Sequence, residues 1–348
     1  MAEPAAVADT RSVEVLLLEA PAGSGVDRWA DDLESGLASI EAGTLLRRHR
    51  RHPLTRFFPW PALFGERIEE PDIVHTGTWL EPAVHEIATR IVTVHLVVHD
   101  DPHYGRVRGM ARRVWHHRLR EREERAIRRA AAVVAVSGHV ADRVHALFGV
   151  ESHVIQNGVD LAAFRPSGEA RSGSARPRVI TVGAASKRKG FDLFMEVARR
   201  LSGEAEFLHI GPIGNRIARR ASSAGIAVIG ALPRSEVADQ LRRSDIFFWP
   251  SRCEGFGLSL LEALATGLPV CASSIAPTRE LMGGGTEAGA ILCRVGDGES
   301  HAKGLRELIA LSHEARKEIG RSNRRRAEAI GSRERMAREY AELYREQV

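Results

Sequence analysis

Two glutamates, Glu254 and Glu262, stand around a glycine turn in Pro250-Ser-Arg-Cys-Glu-Gly-Phe-Gly-Leu-Ser-Leu-Leu-Glu-Ala263. The stretch follows an aromatic strand candidate, Ile246–Trp249, and its spacing starts a helix near Leu258. Gly255 and Gly257 let the backbone come close to an anion. The free N–H groups and positive end of the helix favour a phosphate there. Glu254 precedes the turn, where its carboxylate can face a cleft. Glu262 lies further into the helix and is suited to accept two hydrogen bonds from ribose hydroxyls. The plainer reading is a helical glutamate beside an ordinary βα turn. It fits either glutamate alone better than it fits the whole string.

A second group is cationic. Lysine occurs only at 187, 189, 303 and 317, and two of these sit together in Val182-Gly-Ala-Ala-Ser-Lys-Arg-Lys-Gly190. The loop follows a strand candidate and opens a helix at about Phe191. Lys187, Arg188 and Lys189 can neutralise a diphosphate leaving group, since a fixed cation where charge develops lowers the barrier. Without that context the same loop is simply basic and solvated.

Two weaker groups lie earlier. Gly23 and Gly25, in Pro21-Ala-Gly-Ser-Gly-Val-Asp-Arg28, form half of a dinucleotide fingerprint. Arg28 stands where the third glycine belongs, so the segment reads as a loop lining a cleft rather than as an NAD site. Val94-His95-Leu-Val-Val-His99-Asp-Asp101-Pro-His103 places His95 near a strand end, pointing toward the cleft. Its histidines and aspartates also admit a metal site, although they match no standard ligand spacing.

These residues need elements to hold them. In the first half, strand candidates fall at Val13–Leu18, Asp72–His75, Ile91–Leu96, Val133–Ser137 and His153–Gln156, with a weaker one at Thr44–Leu46. Short aliphatic runs of this kind suit a buried parallel sheet. A long charged helix covers Arg108–Ala131. A Pro/Gly/Ser-rich stretch, Phe164–Pro177, reads as a linker. The second half alternates again, with strands at Val179–Val182, Glu206–Ile210, Ala227–Ile229, Ile246–Trp249, Val270–Ala272 and Ile291–Cys293. Alternating β and α units imply parallel sheets with helices on both faces. The fold class is therefore α/β: two doubly wound, Rossmann-like domains facing across a cleft, with ligands beyond the strand C-termini. The expected boundaries are 1–165 for the first domain, 166–177 for the linker and 178–332 for the second. Met336, Tyr340, Leu343 and Tyr344 give the helix 333–348 an apolar face to pack, by expectation back across the first domain.

The chain has 348 residues, 43% of them hydrophobic and 27% charged, which excludes a disordered chain and suits two domains. No apolar run approaches the roughly 18–20 residues of a membrane span. Met1-Ala-Glu-Pro does not resemble a signal peptide, so the expected location is cytoplasmic. Three cysteines without CxxC spacing exclude a disulfide scaffold and a cysteine zinc site. The net charge of +5 permits an acidic partner, but no basic-aromatic module supports nucleic acid. Arg106–Arg129, near Phe57-Phe-Pro-Trp60, reads either as a contact with the inner face of an anionic membrane or as a solvated helix face.

Glu254-Gly-Phe-Gly-Leu-Ser-Leu-Leu-Glu262 resembles the E-x7-E motif of the retaining family 4 glycosyltransferases with the GT-B fold. Other passages resemble the family in the same order: Ala135-Val-Ser137, Ile155-Gln-Asn-Gly-Val-Asp160, Phe164-Arg-Pro166, Val182-Gly183 with Lys189-Gly190, Asp245–Ser251, Gly267–Val270 and Pro277–Glu280. The resemblance implies transfer of a sugar from a UDP-, GDP- or ADP-sugar to a hydroxyl acceptor with retention. It implies front-face attack, with no protein nucleophile and no metal or other cofactor. By the same resemblance Glu262 holds the ribose and Glu254 the sugar hydroxyls. The Phe256, Gly257 and Leu258 backbone meets the sugar or phosphates, together with Gly255 and Gly183 in the donor loops. Lys189 binds the diphosphate, His95 contacts the sugar, and Gly23 and Gly25 lie near the acceptor and diphosphate. One departure stands out. The family's arginine after the glycine of its "VGR" is Ala184 here, a loss of about 2–4 kcal/mol of transition-state stabilisation unless Lys187 or Arg188 compensates. The alternatives implied by that departure, or by the fold, are a weakened sugar-nucleotide-binding or partner protein and a GT-B epimerase or phosphorylase.

Overall fold

A computed structural model describes residues 12–19, 25–40, 42–50, 71–78, 88–100, 110–167, 176–283 and 289–348, with backbone alone at 50, 100 and 110–116. The N-terminal strands are β1 (Val13–Glu19), β2 (Thr44–Arg50), β3 (Ile73–Gly77), β4 (Thr89–Val94), β5 (Ala132–Ala135) and β6 (His153–Val154). Among them lie helices α1 (Gly25–Ser39), α2 (Met110–Arg128) and α3 (Gly138–Phe148). The C-terminal half contains β7 (Arg178–Val182), α4 (Phe191–Arg200), β8 (Glu206–Ile210), α5 (Asn215–Ser222), β9 (Ile226–Ile229) and α6 (Arg234–Arg242). It continues with β10 (Ile246–Trp249), α7 (Leu258–Ala265), β11 (Val270–Ser273), α8 (Ala276–Leu281), β12 (Ala290–Cys293), α9 (Gly298–Ala310), α10 (His313–Ile330) and α11 (Arg333–Glu346).

Both sheets are parallel, in the orders β2-β1-β3-β4-β5-β6 and β12-β11-β10-β7-β8-β9. The second order reverses between β7 and β10, which pair through Ile246 with Val179 and Phe247 with Ile180. Neighbouring strands whose connections leave in opposite directions open a crevice at their C-terminal ends. The glycine turn after β10 and the lysine loop after β7 both emerge there.

Differences from the sequence reading are local and have causes. β2 runs to Arg50, beyond Leu46, with Arg48 held by Glu19, Asp31 and Glu34. β4 stops at Val94, so His95 is the first residue beyond the strand. β5 stops at Ala135, freeing Ser137 to cap α3. α2 ends at Arg128 rather than Ala131 because Ala132 already pairs with Ile91. Most of the Phe164–Pro177 linker lies outside the described residues.

The chain crosses between the sheets twice, and the crossings bond to each other. Val159 N donates to Gly331 O at 2.8 Å, and Arg333 N donates to Val159 O at 3.1 Å. Arg324 Nη1 donates to the carbonyls of Leu161, Phe164 and Ala265, fastening the first crossing to the end of α7. After the second crossing α11 packs on α1, burying Met336, Ala337, Tyr340, Ala341, Leu343 and Tyr344. Tyr344 Oη lies 2.7 Å from His75 Nδ1, His75 Nε2 lies 2.7 Å from Thr93 Oγ1, and Thr93 Oγ1 lies 3.0 Å from Tyr340 Oη. An apolar cluster runs without a break from Val92 and Val133 of the first sheet to Phe256 and Leu260 of the second.

Candidate functional site

Gly255 brings the sheets together. A Cβ at this position would fall 1.9 Å from the His95 carbonyl oxygen, so any other residue would push the two loops apart. Ser137 Oγ reinforces the contact: it donates to Gly255 O at 2.6 Å and accepts from Val140 N at 3.1 Å as the cap of α3. Glu280 of α8 accepts from Gly138 N at 2.9 Å and from Gln156 Nε2 at 2.7 Å. Two parts of the first sheet thereby grip the second beside the turn.

The β7 loop reaches the same turn. Gly190 has φ 70°, and a Cβ there would meet Pro250 O at 2.0 Å. This closeness sets Lys189 beside Glu254, with Nζ 2.6 Å from Oε1, and 4.9 Å above the Trp249 ring. Arg188 Nη1 lies 3.4 Å from Glu254 Oε2 and donates to Cys253 O at 3.0 Å. Burial works to raise the Glu254 carboxyl, but Lys189 and Arg188 outweigh it and hold the group below the usual carboxylate range. Burial lowers the Lys189 ammonium, Glu254 opposes that, and the charges of Arg188 and Arg28 add to the lowering. Lys187 is exposed, and its carbonyl accepts from Arg252 Nη1 at 2.7 Å and from Gly190 N at 3.1 Å. Of the two residues offered to replace the missing arginine, Arg188 is the one that faces Glu254. Ala184 and Gly183 lie at the mouth of the loop, with Ala184 exposed.

Glu262 is 1% exposed, and neither of its carboxylate oxygens accepts a hydrogen bond among the described residues. Two cations face it: Arg234 Nε at 3.3 Å and Arg28 Nη1 at 3.7 Å. Arg234 also donates to Asp32 Oδ1 at 2.7 Å, linking α6 to α1. Burial pushes the Asp32 carboxyl up to about 6, against the pull of Arg234. His95 packs edge-on against Trp29 at 4.6 Å, and its Nε2 is buried without a hydrogen-bond partner among the described residues. Burial pushes its imidazole down to about 4, so it is neutral at pH 7.

The structure thus assembles His95, Gly255, Phe256, Gly257, Leu258, Glu254, Glu262, Arg188 and Lys189 around one crevice. Gly25 joins them as the first residue of α1, its Cβ direction ending 4.0 Å from Leu258 Cδ1. The Phe256 side chain belongs to the core, leaving its backbone at the turn. Gly23, Asp101, His103 and Phe57–Trp60 lie outside the described residues. His99 turns to Glu123 on α2, 2.6 Å from Oε2. Among the described residues no three His, Cys, Asp or Glu side chains gather as metal ligands, and no helix is long and apolar enough to cross a membrane. Asp32, Arg234 and Trp29 were not found by sequence reasoning, and Glu280 entered only as part of the Pro277–Glu280 passage. The available signal was a charge on the inner face of α1, four residues after Arg28.

Two doubly wound sheets meeting at a glycine turn and a helix N-terminus define the GT-B architecture. Residues 9–163 match the family model described as Glycosyltransferase Family 4, and residues 176–310 match that described as Glycosyl transferases group 1. The chain belongs to the family 4 glycosyltransferases of GT-B fold. It is 32% identical over 191 residues to the lipopolysaccharide core biosynthesis mannosyltransferase LpsB of Rhizobium meliloti (strain 1021), covering 49% of this chain and 53% of that protein. It is 27% identical over 325 residues to the MMP alpha-(1->4)-mannosyltransferase of Mycolicibacterium hassiacum (strain DSM 44199), covering 84% and 77%. Sucrose-phosphate synthase from Thermosynechococcus elongatus superposes with a TM-score of 0.79 at 18% identity, covering 96% of this chain and 98% of that one. The matched stretch spans about half the length of the first curated relatives.

Proposed function

We propose that this protein is a retaining glycosyltransferase that moves a hexose from a nucleotide-diphosphate sugar to a hydroxyl acceptor. The observation that carries the reading is Glu262: a buried carboxylate, four residues into the helix that opens the crevice, whose oxygens face two cations but accept no hydrogen bond among the described residues. A ribose diol supplies the two donors such a carboxylate lacks. Beside it, the N-terminus of α7 and the cations Lys189 and Arg188 suit the diphosphate. Lys189 carries three N–H donors, and its pairing with Glu254 leaves the others for phosphate oxygens. Glu254 and the neutral His95 then face the sugar, where a neutral imidazole can accept or donate a hydrogen bond to a hydroxyl. Attack comes from the face that the diphosphate leaves, and the departing phosphate takes the acceptor's proton. Fixed cations of the crevice, rather than a divalent metal, supply positive charge for departure. Two relatives are mannosyltransferases by name, which makes mannose the first sugar to try.

Calorimetric titration with UDP, GDP and ADP in the presence of a chelator tests the reading. One of the three should bind, and Glu262→Gln should weaken it by about 10-fold or more, the worth of a hydrogen bond to a charged group. Turnover of the matching mannosyl nucleotide, with product anomer read by NMR, then tests retention. A folded protein that binds none of the three would overturn the reading.

A further inference from the structure

Of the three cations of the β7 loop Lys187 is exposed, and the other two face a carboxylate. Lys189 and Arg188 share Glu254, and position 184 carries a methyl group. A diphosphate leaving group carries more than one negative charge, so this loop alone under-compensates it.

The opposite sheet offers a cation at the same place. α1 begins at Gly25 against Leu258, the first residue of α7, so the two helix N-termini meet. Arg28 lies in the first turn of α1, with Nη1 3.7 Å from Glu262 Oε2. At that distance the pair is electrostatic and not hydrogen-bonded. The Arg28 side chain is 36% exposed, so it is not sealed in the core. Its charge already acts on the Lys189 ammonium. Its backbone is fixed: four residues on, Asp32 is 2% exposed and bound to Arg234 at 2.7 Å, which pins α1 to α6.

Building on the function proposed above, we propose that Arg28 is a diphosphate-binding residue, supplied by the first sheet in place of the cation missing at Ala184. When a ribose diol hydrogen-bonds to Glu262, the long ion pair gives way and the guanidinium turns to the phosphates, where it can form paired hydrogen bonds. The positive charge for departure is then complete only when the two sheets stand together. Donor cleavage is thereby tied to the closed cleft.

The test uses full-length protein, with the diphosphate that binds the wild type, its parent nucleoside and its monophosphate as probes. Arg28→Gln should weaken the diphosphate by about 10–100-fold, the worth of charge-assisted hydrogen bonds, and leave nucleoside affinity within about 2-fold of wild type. Arg28→Lys should fall between the two. Adding Ala184→Arg to Arg28→Gln should recover part of the loss. Thermal unfolding shows whether each variant is folded. An unchanged diphosphate affinity in Arg28→Gln, while Glu262→Gln still weakens binding, overturns the role of Arg28 and leaves the proposed function standing. An equal loss of nucleoside affinity also overturns it, since Arg28 would then act through Glu262. If the folded wild type binds no diphosphate, the proposed function fails first and this role with it.

Discussion

At Gly255 the two halves of the molecule touch through backbone, and one methyl group is enough to separate them. Gly255→Ala places a Cβ 1.9 Å from His95 O, an overpacking that costs about 1–3 kcal/mol. The expected result is a lower melting temperature together with weaker nucleotide binding, because the displaced turn leads into α7. A variant with wild-type stability would show that the loops separate freely. His95→Ala should act differently. Its ring lies on Trp29 and is proposed to meet the sugar, so kcat should fall while nucleotide affinity stays near wild type. Steady-state rates set beside calorimetry check this split. Much of this site was legible in the sequence because its parts are consecutive: glutamates, glycines and cations flanking two strand ends. The pairs that lock it were not legible. Asp32 and Arg234 meet from positions 202 apart, and Gly138 and Glu280 from 142 apart. Local spacing carries no information about such meetings.

At the scale of elements, α11 completes the first sheet through a chain of buried polar side chains. Tyr344→Phe removes the partner of His75 Nδ1 and leaves a buried ring nitrogen unsatisfied, a loss of about 1–3 kcal/mol. Urea unfolding should show it, and an unchanged midpoint would refute the role of the chain. Buried histidines of both sheets set the response to acid. Burial pushes His75 down to about 3, with His95 adding to the effect, and pushes His95 and His209 down to about 4, from an ordinary 6.5. The unfolded chain takes up these protons first as pH falls below 6.5, so stability drops by about 1.4 kcal/mol per pH unit for each group until its folded value is reached. Asp32 runs the other way. Its carboxyl is raised from 3.8 to about 6, so the folded state holds that proton and gains stability as pH falls through this window. Three histidines outweigh one carboxyl, and the protein should be acid-labile. Asp32→Asn should steepen the loss between pH 6 and 4, as read from urea midpoints at several pH values; a shallower slope would contradict the assignment. The apolar face of α11 was legible from its helical spacing. The ends of β4 and β5 were not, because Leu96 and Val136 continue the aliphatic run after pairing has stopped.

At the scale of the whole molecule, two sheets share one continuous apolar cluster and two crossings that bond to each other. The alternation of strands and helices made both sheets legible, since periodicity reports which face is buried. Their strand orders were not written in it: the reversal between β7 and β10 depends on which connections pass over which face. The closing of α11 on α1 has a consequence for synthesis. Trp29, Leu33 and Leu37 emerge early, and the helix that packs beside them comes roughly 300 residues later. At about 5–20 residues per second, that wait lasts about 15–60 s. Throughout it the first sheet is unfinished, with an uncovered aromatic side, and the last helix of the second half, α10, emerges just before α11. A chaperone that shields apolar surface on the ribosome should therefore find its target in α1.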